Sequence, residues 1–181
     1  MKPGLEVLLG VGGGIAAFKV AALASQLVQD GYSVRVAMTE RSQEFVGALT
    51  FEGLTGRKAI LSPTQVDLDG SVPHIDAARA ASIYVIAPAS SDLLAKLAAG
   101  VADDPVSLLA ITCRAPVLVC PAMNDTMWDS EVVGQNVAAL RDRGFQFAGP
   151  VKGHLAEGYD AVGRMVEPQE IVEHIARLVG E

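Results

Sequence analysis

Glu6-Val7-Leu8-Leu9-Gly10-Val11-Gly12-Gly13-Gly14-Ile15-Ala16-Ala17 is the stretch that decides the fold. Glu6 to Val11 is an apolar run ending in glycines, which predicts a buried strand. Helical periodicity then runs from Ala16 to Gln29, and Asp30-Gly31 stops it. The glycines between them let backbone N–H groups approach a phosphate, and the start of a helix adds a positive dipole. The full dinucleotide pattern G-x-G-x-x-G is not met, because position 15 is Ile. A turn built only for tight strand–helix packing would need the same glycines.

The alternation continues outward. Ser33 to Met38 reads as a second strand, and Thr39 can cap a helix running through Gln43 to Leu49, extended by Phe51 to Leu54. Gly56 to Asp69 reads as irregular. His74 to Ala81 is a short helix, Ile83 to Ala87 a continuous apolar strand, and Ser91 to Ala98 a helix before Gly100. Pro105 to Ile111 is helical, Val117 to Cys120 a strand, and Ser130 to Arg143 a helix closed by Gly144. Phe145 to Ala148 reads as a strand, Gly149 to Gly163 as loop, and Gln169 to Leu178 as the last helix. Strands alternating with helices predict an α/β class chain with a doubly wound parallel sheet, a Rossmann-like flavodoxin-type three-layer sandwich in one domain, 1–181. Ligands of such sheets bind past the carboxyl ends of the strands, where the unusual loops lie.

Composition narrows the function. The chain has 181 residues, half of them hydrophobic, 5% aromatic, and 18 glycines. A formal charge of −7 and no Lys/Arg cluster argue against nucleic acid. No apolar run reaches the roughly 20 residues needed to span a bilayer. Met1 to Gly4 passes straight into a strand with no signal-peptide layout. Cys113 and Cys120 sit in apolar surroundings and are too few for a disulfide framework, which fits reduced core thiols in a cytoplasmic protein. His74, His154 and His174 do not combine with the cysteines at ligand spacing, so no metal is expected.

Several other loops carry chemistry. The second strand ends Val36-Ala37-Met38-Thr39 with no acidic residue placed to hold a ribose, so a mononucleotide phosphate fits better than NAD. Thr39 can cap a helix or bind that phosphate. Pro88-Ala89-Ser90-Ser91-Asp92 follows the third strand; its small residues permit a flat ring to approach the backbone, and its Ser and Asp also suit a helix cap. Ala102, Asp103 and Asp104 form a further loop whose carboxylates suit capping. His74 follows Pro73 in the first turn of a helix, whose positive end disfavours a second charge and leaves an imidazole free to take a proton. Pro121-Ala122-Met123-Asn124-Asp125-Thr126-Met127-Trp128 places an amide, two thioethers and an indole after a buried strand. Asn124 offers a donor and an acceptor to a small polar group, and Met123, Met127 and Trp128 can exclude water from a flat ring.

From Leu5 to Pro168 the chain resembles the homo-oligomeric flavin-containing cysteine decarboxylases. These include phosphopantothenoylcysteine decarboxylase and the lantibiotic peptidyl-cysteine decarboxylases. Gly12, Gly13, Gly14, Ile15, Ala16 and Ala17 match a first phosphate loop, and Met38-Thr39 with Glu44-Phe45 a second. His74-Ile75 matches an active-site histidine motif. Pro88-Ala89-Ser90 matches the start of P-A-S-A-N-T, from which Ser91-Asp92-Leu93 departs. Pro121 to Trp128 matches P-x-M-N-x-x-M-W throughout. The resemblance implies FMN held at a subunit contact in trimers, or in dodecamers built from trimers. It implies cofactor contacts from Gly12 to Ala16 and from Thr39, Phe45, Pro88, Ala89, Ser90, Ala102, Asp103 and Met123. It makes His74 the base and Asn124 the holder of the substrate carboxylate, with Met127, Glu157, Arg164 and Met165 also near substrate. The chemistry is coherent: a cysteine carboxylate leaves as CO₂ only if the electrons have a sink. Oxidation of the thiol side by the flavin makes a thioaldehyde that serves as one, giving an enethiol.

One position departs from the pantothenate enzymes. Their flap carries a cysteine before a G-R-M motif; here the flap reads Gly153-His154-Leu155-Ala156-Glu157-Gly158-Tyr159-Asp160-Ala161-Val162-Gly163-Arg164-Met165. Glu157 stands at the thiol's place. The resemblance assigns that thiol to the return of electrons to the product, so this chain is expected to stop at the enethiol. The expected reaction is therefore FMN-dependent oxidative decarboxylation of a peptide ending in Cys to an aminoenethiol. The alternatives are phosphopantothenoylcysteine decarboxylation in coenzyme A biosynthesis, which the Pro-Ala-Met-Asn and Gly-Arg-Met spellings favour, and a non-catalytic flavoprotein subunit.

Overall fold

A computed structural model describes residues 4–180. The leader-free start read from Met1 to Pro3 and the outer limits of the 1–181 domain lie outside the described residues. The elements in chain order are β1 (Glu6–Val11), α1 (Ala17–Gln29), β2 (Ser33–Met38), α2 (Ala48–Thr55), α3 (Pro73–Ala80), β3 (Ile83–Ala89), α4 (Ser91–Ala99) and α5 (Pro105–Thr112). They continue with β4 (Val117–Pro121), α6 (Asp125–Trp128), α7 (Glu131–Asp142), β5 (Gln146–Phe147), β6 (Val151–His154), β7 (Asp160–Arg164) and α8 (Pro168–Val179).

Five parallel strands form one sheet in the order β2-β1-β3-β4-β5, the doubly wound α/β arrangement expected. The central strands β1, β3 and β4 are apolar at nearly every position because both faces are covered. Val7, Leu9, Val11, Val85 and Leu118 point to one face, against α1, α2 and α8. Leu8, Tyr84, Ile86 and Val119 point to the other, against α3, α4, α5 and α7. Tyr84 brings a hydroxyl into this core, and it donates to the Val106 carbonyl at 2.8 Å. Burial holds its phenol well above the ordinary range.

Four expectations change. The helix expected from Gln43 through Leu54 is interrupted: a 3-10 turn covers Arg41–Glu44, and α2 begins only after Gly47, which takes extended backbone (φ −67°, ψ 144°). Thr39 caps the 3-10 turn, its Oγ1 accepting from the Ser42 N–H at 3.2 Å. The strand expected over Phe145–Ala148 shrinks to Gln146–Phe147. The segment read as loop from Gly149 to Gly163 contains the antiparallel hairpin β6–β7, and Asp125–Trp128 forms a helical turn. The hairpin's residues alternate exposed and half-buried with little apolar content, so no hydrophobic period announces it.

Candidate active site

At the carboxyl edge of the sheet, on the α1 face, lies a cavity of about 560 Å³. Its floor comes from Gly13, Gly14, Ile15 and Ala16 after β1, Ser90 after β3, and Ala122, Met123, Asn124 and Met127 after β4. The hairpin closes it with His154, Leu155, Ala156, Glu157, Gly163 and Arg164, and Met165 follows. Phe18 and Lys19, one turn into α1, complete the wall.

Glycine sterics set the floor. A Cβ on Gly12 would fall on the Pro88 carbonyl oxygen, and one on Gly13 would lie 2.6 Å from Arg41 Cβ. These two glycines are therefore required for close packing of the three strand-end loops. Gly14 differs: a Cβ there meets nothing nearer than Pro88 Cγ at 4.0 Å and would project into open space. Beyond Gly14, α1 starts with Ala16 as N-cap, no side-chain cap and no acidic residue in its first turn. The Ala17 and Lys19 N–H groups donate to the Gly14 and Ala16 carbonyls at 2.9 and 3.0 Å, and with no carboxylate competing there the positive end of α1 fits an anionic group such as a phosphate.

Asn124 is the polar centre of the opposite wall. Its Oδ1 caps α6, accepting from the Thr126 N–H at 2.8 Å. Its Nδ2 donates to Glu157 Oε1 at 3.0 Å and to the Tyr159 hydroxyl oxygen at 3.1 Å. Tyr159 donates in turn to Asp125 Oδ1 at 2.6 Å, which holds its phenol above the ordinary range. The hairpin is pinned to this loop by backbone as well: the Met123 N–H donates to the Gly163 carbonyl at 3.0 Å. Cationic groups are supplied by Lys19 and Arg164, both paired with Glu167; Lys19 reaches it at 2.8 Å and holds its carboxyl below the ordinary range, aided by Arg164.

The cavity thus gathers Gly13, Gly14, Ile15, Ala16, Ser90, Met123, Asn124, Met127, Glu157, Arg164 and Met165 from the expected residues. Gly12, Thr39, Phe45, Pro88, Ala89, Ala102 and Asp103 lie outside its lining. Asp103 is ion-paired to Lys96 at 2.8 Å, and Asp104 caps α5. Trp128 packs against the second core face rather than into the cavity. The expectation missed Phe18, Lys19, Ala122, His154, Leu155, Ala156 and Gly163. Phe18 and Lys19 lie three and four positions after Ile15, at the same end of α1 as the glycine turn.

His74 is elsewhere in this chain. It sits in the first turn of α3, on the sheet face opposite α1. Its Nδ1 is buried and has no hydrogen-bond partner among the described residues. The cysteines are structural: Cys120 is wholly buried and its thiol is pushed far up, and burial raises Cys113 as well. Among the described residues there is no group of three His, Cys, Asp or Glu able to hold a metal, and no helix long and apolar enough to cross a membrane.

Comparison with known proteins follows the same lines. The coenzyme A biosynthesis bifunctional protein CoaBC of Bacillus subtilis (strain 168) is 41% identical over 168 residues, covering 93% of this chain and 41% of that protein. The chain thus spans about two fifths of the length of the curated relatives it matches. A PPC decarboxylase cysteine-to-serine mutant complexed with pantothenoylaminoethenethiol superposes with a TM-score of 0.86 at 27% identity, covering 98% and 99% of the two chains. The FMN-dependent cysteine decarboxylase SpaF does so with a TM-score of 0.84 at 25% identity, covering 98% of each. The resemblance read from the motifs agrees with these matches. The Flavoprotein family model covers residues 1–180, and with solved neighbours that are cysteine decarboxylases repeating the fold end to end, this chain belongs to the Flavoprotein family.

Proposed function

We propose that this chain is an FMN-dependent cysteine decarboxylase acting on a substrate of the phosphopantothenoylcysteine type. The observation that carries this reading is the 41% identity with a CoaBC protein over 93% of this chain; superposition alone, at 27% identity for the PPC decarboxylase mutant and 25% for SpaF, does not separate the two activities. The CoaBC identity reverses the order of the two activities expected from the flap alone. Gly14, Ile15, Ala16 and the first turn of α1 would hold the FMN phosphate, and Ser90, Ala122 and Met123 would lie beside its ring. FMN, when bound, takes up the electrons that make loss of CO₂ from a cysteine possible.

The chain's own groups do the rest. Asn124 Nδ2 is the donor for the substrate carboxylate. Phe18, Met127 and Met165 keep water from it. His74, with an unpartnered nitrogen, is the proton acceptor. His74 does not line the cavity, so in this reading the base is supplied by another copy of the chain. The exposed apolar residues Ile15 (66%) and Phe18 (61%) at the cavity rim suit such a neighbour. Homo-oligomerisation, with a trimer as the smallest unit, belongs to this reading.

A second reading keeps a peptide ending in Cys as the substrate. Glu157 favours it, because a carboxylate in the flap has no thiol chemistry with which to complete a saturated product. One experiment separates the readings. The protein is incubated without oxygen with phosphopantothenoylcysteine and, separately, with a peptide ending in Cys, and products are weighed by mass spectrometry. The proposal expects the first substrate to be consumed with loss of CO₂ and two hydrogens, leaving the flavin bleached. Consumption of the peptide alone establishes the second reading. A flavin-loaded protein that consumes neither is a non-catalytic flavoprotein subunit.

A further inference from the structure

Every strong hydrogen-bonding direction of Asn124 facing the cavity is already taken. A side-chain amide has two N–H donors. Here one goes to the Glu157 carboxylate at 3.0 Å and the other to Tyr159 at 3.1 Å. The amide oxygen is committed to capping α6. A substrate carboxylate can therefore reach Nδ2 only by displacing one of these partners. Of the two, Tyr159 is anchored by its own 2.6 Å bond to Asp125, whereas the hydrogen bond that holds the Glu157 carboxylate comes from Asn124 itself. Glu157 also belongs to the exposed turn of the hairpin, which is closed locally by the Leu155 N–H on the Tyr159 carbonyl at 2.9 Å.

We infer that Glu157 is a latch: a tethered carboxylate that occupies the Asn124 amide in the absence of substrate and yields it to the substrate's own carboxylate. This rests on the reading of Asn124 as the carboxylate anchor. The latch has two effects on a ligand. It competes for the same donor, which weakens any ligand that hydrogen-bonds there. It also places a negative charge beside the incoming one, which weakens carboxylates more than neutral ligands. Glu157 is thus a specificity-determining residue that sets how strongly a bound group must attract Asn124 before the flap releases it.

The population arithmetic gives a scale. A latch closed about nine-tenths of the time raises the apparent Kd roughly tenfold over that of an open flap. The test uses N-acetyl-S-methylcysteine, whose thioether blocks oxidation, and its carboxamide, titrated calorimetrically into the protein as purified. In Glu157→Ala the carboxylate ligand is expected to bind roughly tenfold tighter than in wild type. In Glu157→Gln, which keeps an acceptor oxygen and removes the charge, the carboxylate should still gain over the carboxamide. Asn124→Ala should lose the carboxylate ligand in either background. Equal changes for both ligands would mean that Glu157 does not discriminate by charge, and would overturn its role as a specificity-determining latch. Tighter carboxylate binding that survives Asn124→Ala would overturn the anchor and the latch together. Loss of binding in Asn124→Ala with no gain in either Glu157 variant would overturn the latch alone.

Discussion

Gly163→Ala probes the joint on which the cavity depends. Gly163 is buried in β7, and a Cβ there would fall on the carbonyl oxygen of Met123, with the Asp125 nitrogen at 3.4 Å. Neither is the end of a flexible side chain, so no rotamer change relieves the clash. The hairpin must instead separate from the Met123–Asp125 segment by roughly 1 Å, a displacement that can cost about a hundredfold in rate when it moves reacting groups. The separation stretches the bond from the Met123 N–H to the Gly163 carbonyl, now 3.0 Å. Losing it costs about 0.5–1.5 kcal/mol, and crowding a packed site costs about 1–3 kcal/mol more.

Global stability is expected to fall by about 2–4 kcal/mol if the hairpin stays attached. With a urea slope near 2 kcal/mol per molar, that lowers the unfolding midpoint by about 1–2 M. If the hairpin detaches locally, the midpoint moves less and the site bears the damage. Either route shifts the Met123–Asp125 segment that carries Asn124, so CO₂ release should drop by about a hundredfold or more. Gly134→Ala is the control. Gly134 is exposed within α7, and a methyl group added there would meet nothing within 4 Å, so the substitution should stabilise by about 0.5–1 kcal/mol and leave turnover intact. A Gly163→Ala protein with wild-type midpoint and wild-type CO₂ release would refute the packing argument.

His74→Asn should abolish CO₂ release while flavin absorbance is retained, since it removes the proton acceptor and leaves the cavity lining unchanged. Asn124→Asp should do the same and also loosen the hairpin. Asp can still cap α6, but it sets a second carboxylate against Glu157; limited proteolysis at the turn would report this. Glu167, whose carboxyl is held below its ordinary range first by Lys19, contributes stability that is present above that range and lost as pH falls through it. The gap between wild type and Glu167→Gln in urea midpoint should therefore narrow on acidification from neutral pH, and a gap that widens would reverse the assignment. Size exclusion with light scattering should show a trimer or a multiple of it; a flavin-bound monomer would remove the shared site.

What the sequence made legible follows from where burial is two-sided. β1, β3 and β4 are apolar at nearly every position because helices cover both faces, and their limits were readable to within two residues. The hairpin was not readable. Lys152, His154, Glu157 and Asp160 are exposed, and its attachment depends on a glycine carbonyl meeting a backbone N–H, an interaction with no side-chain signature. The break before α2 was hidden in the same way: Phe45, Val46 and Leu49 keep an apolar rhythm through Gly47, whose extended backbone ends it. At the site, the glycine turn and Pro121 to Trp128 announced themselves through unusual residue types. Lys19 and Phe18 did not, because a lysine and an exposed phenylalanine on a helix look ordinary until the flap is placed opposite them.

Identity to CoaBC and the presence of Glu157 speak to different steps of the proposed reaction. The 168 matched residues are mostly strands, helices and strand-end loops, which in the proposed reading set what the cavity admits and where a carboxylate is anchored. In the proposed reaction the outcome after CO₂ leaves would be set by the turn from Leu155 to Tyr159, which adds almost nothing to an identity score. A carboxyl group can hold or give a proton but has no thiol–disulfide couple. Substrate choice and product type can therefore separate in one chain. The reading that satisfies both observations is a cavity selecting a pantothenoyl-type cysteine, with a flap that releases the enethiol. The same carboxylate serves as the latch on Asn124, so replacing Glu157 by Cys should alter two measurable properties at once. Affinity for a carboxylate ligand should rise because the charge is gone, and the product should shift toward the saturated thiol because a thiol has returned. A variant that tightens binding without changing the product would show that the latch is real and that the endpoint is set elsewhere in the cavity.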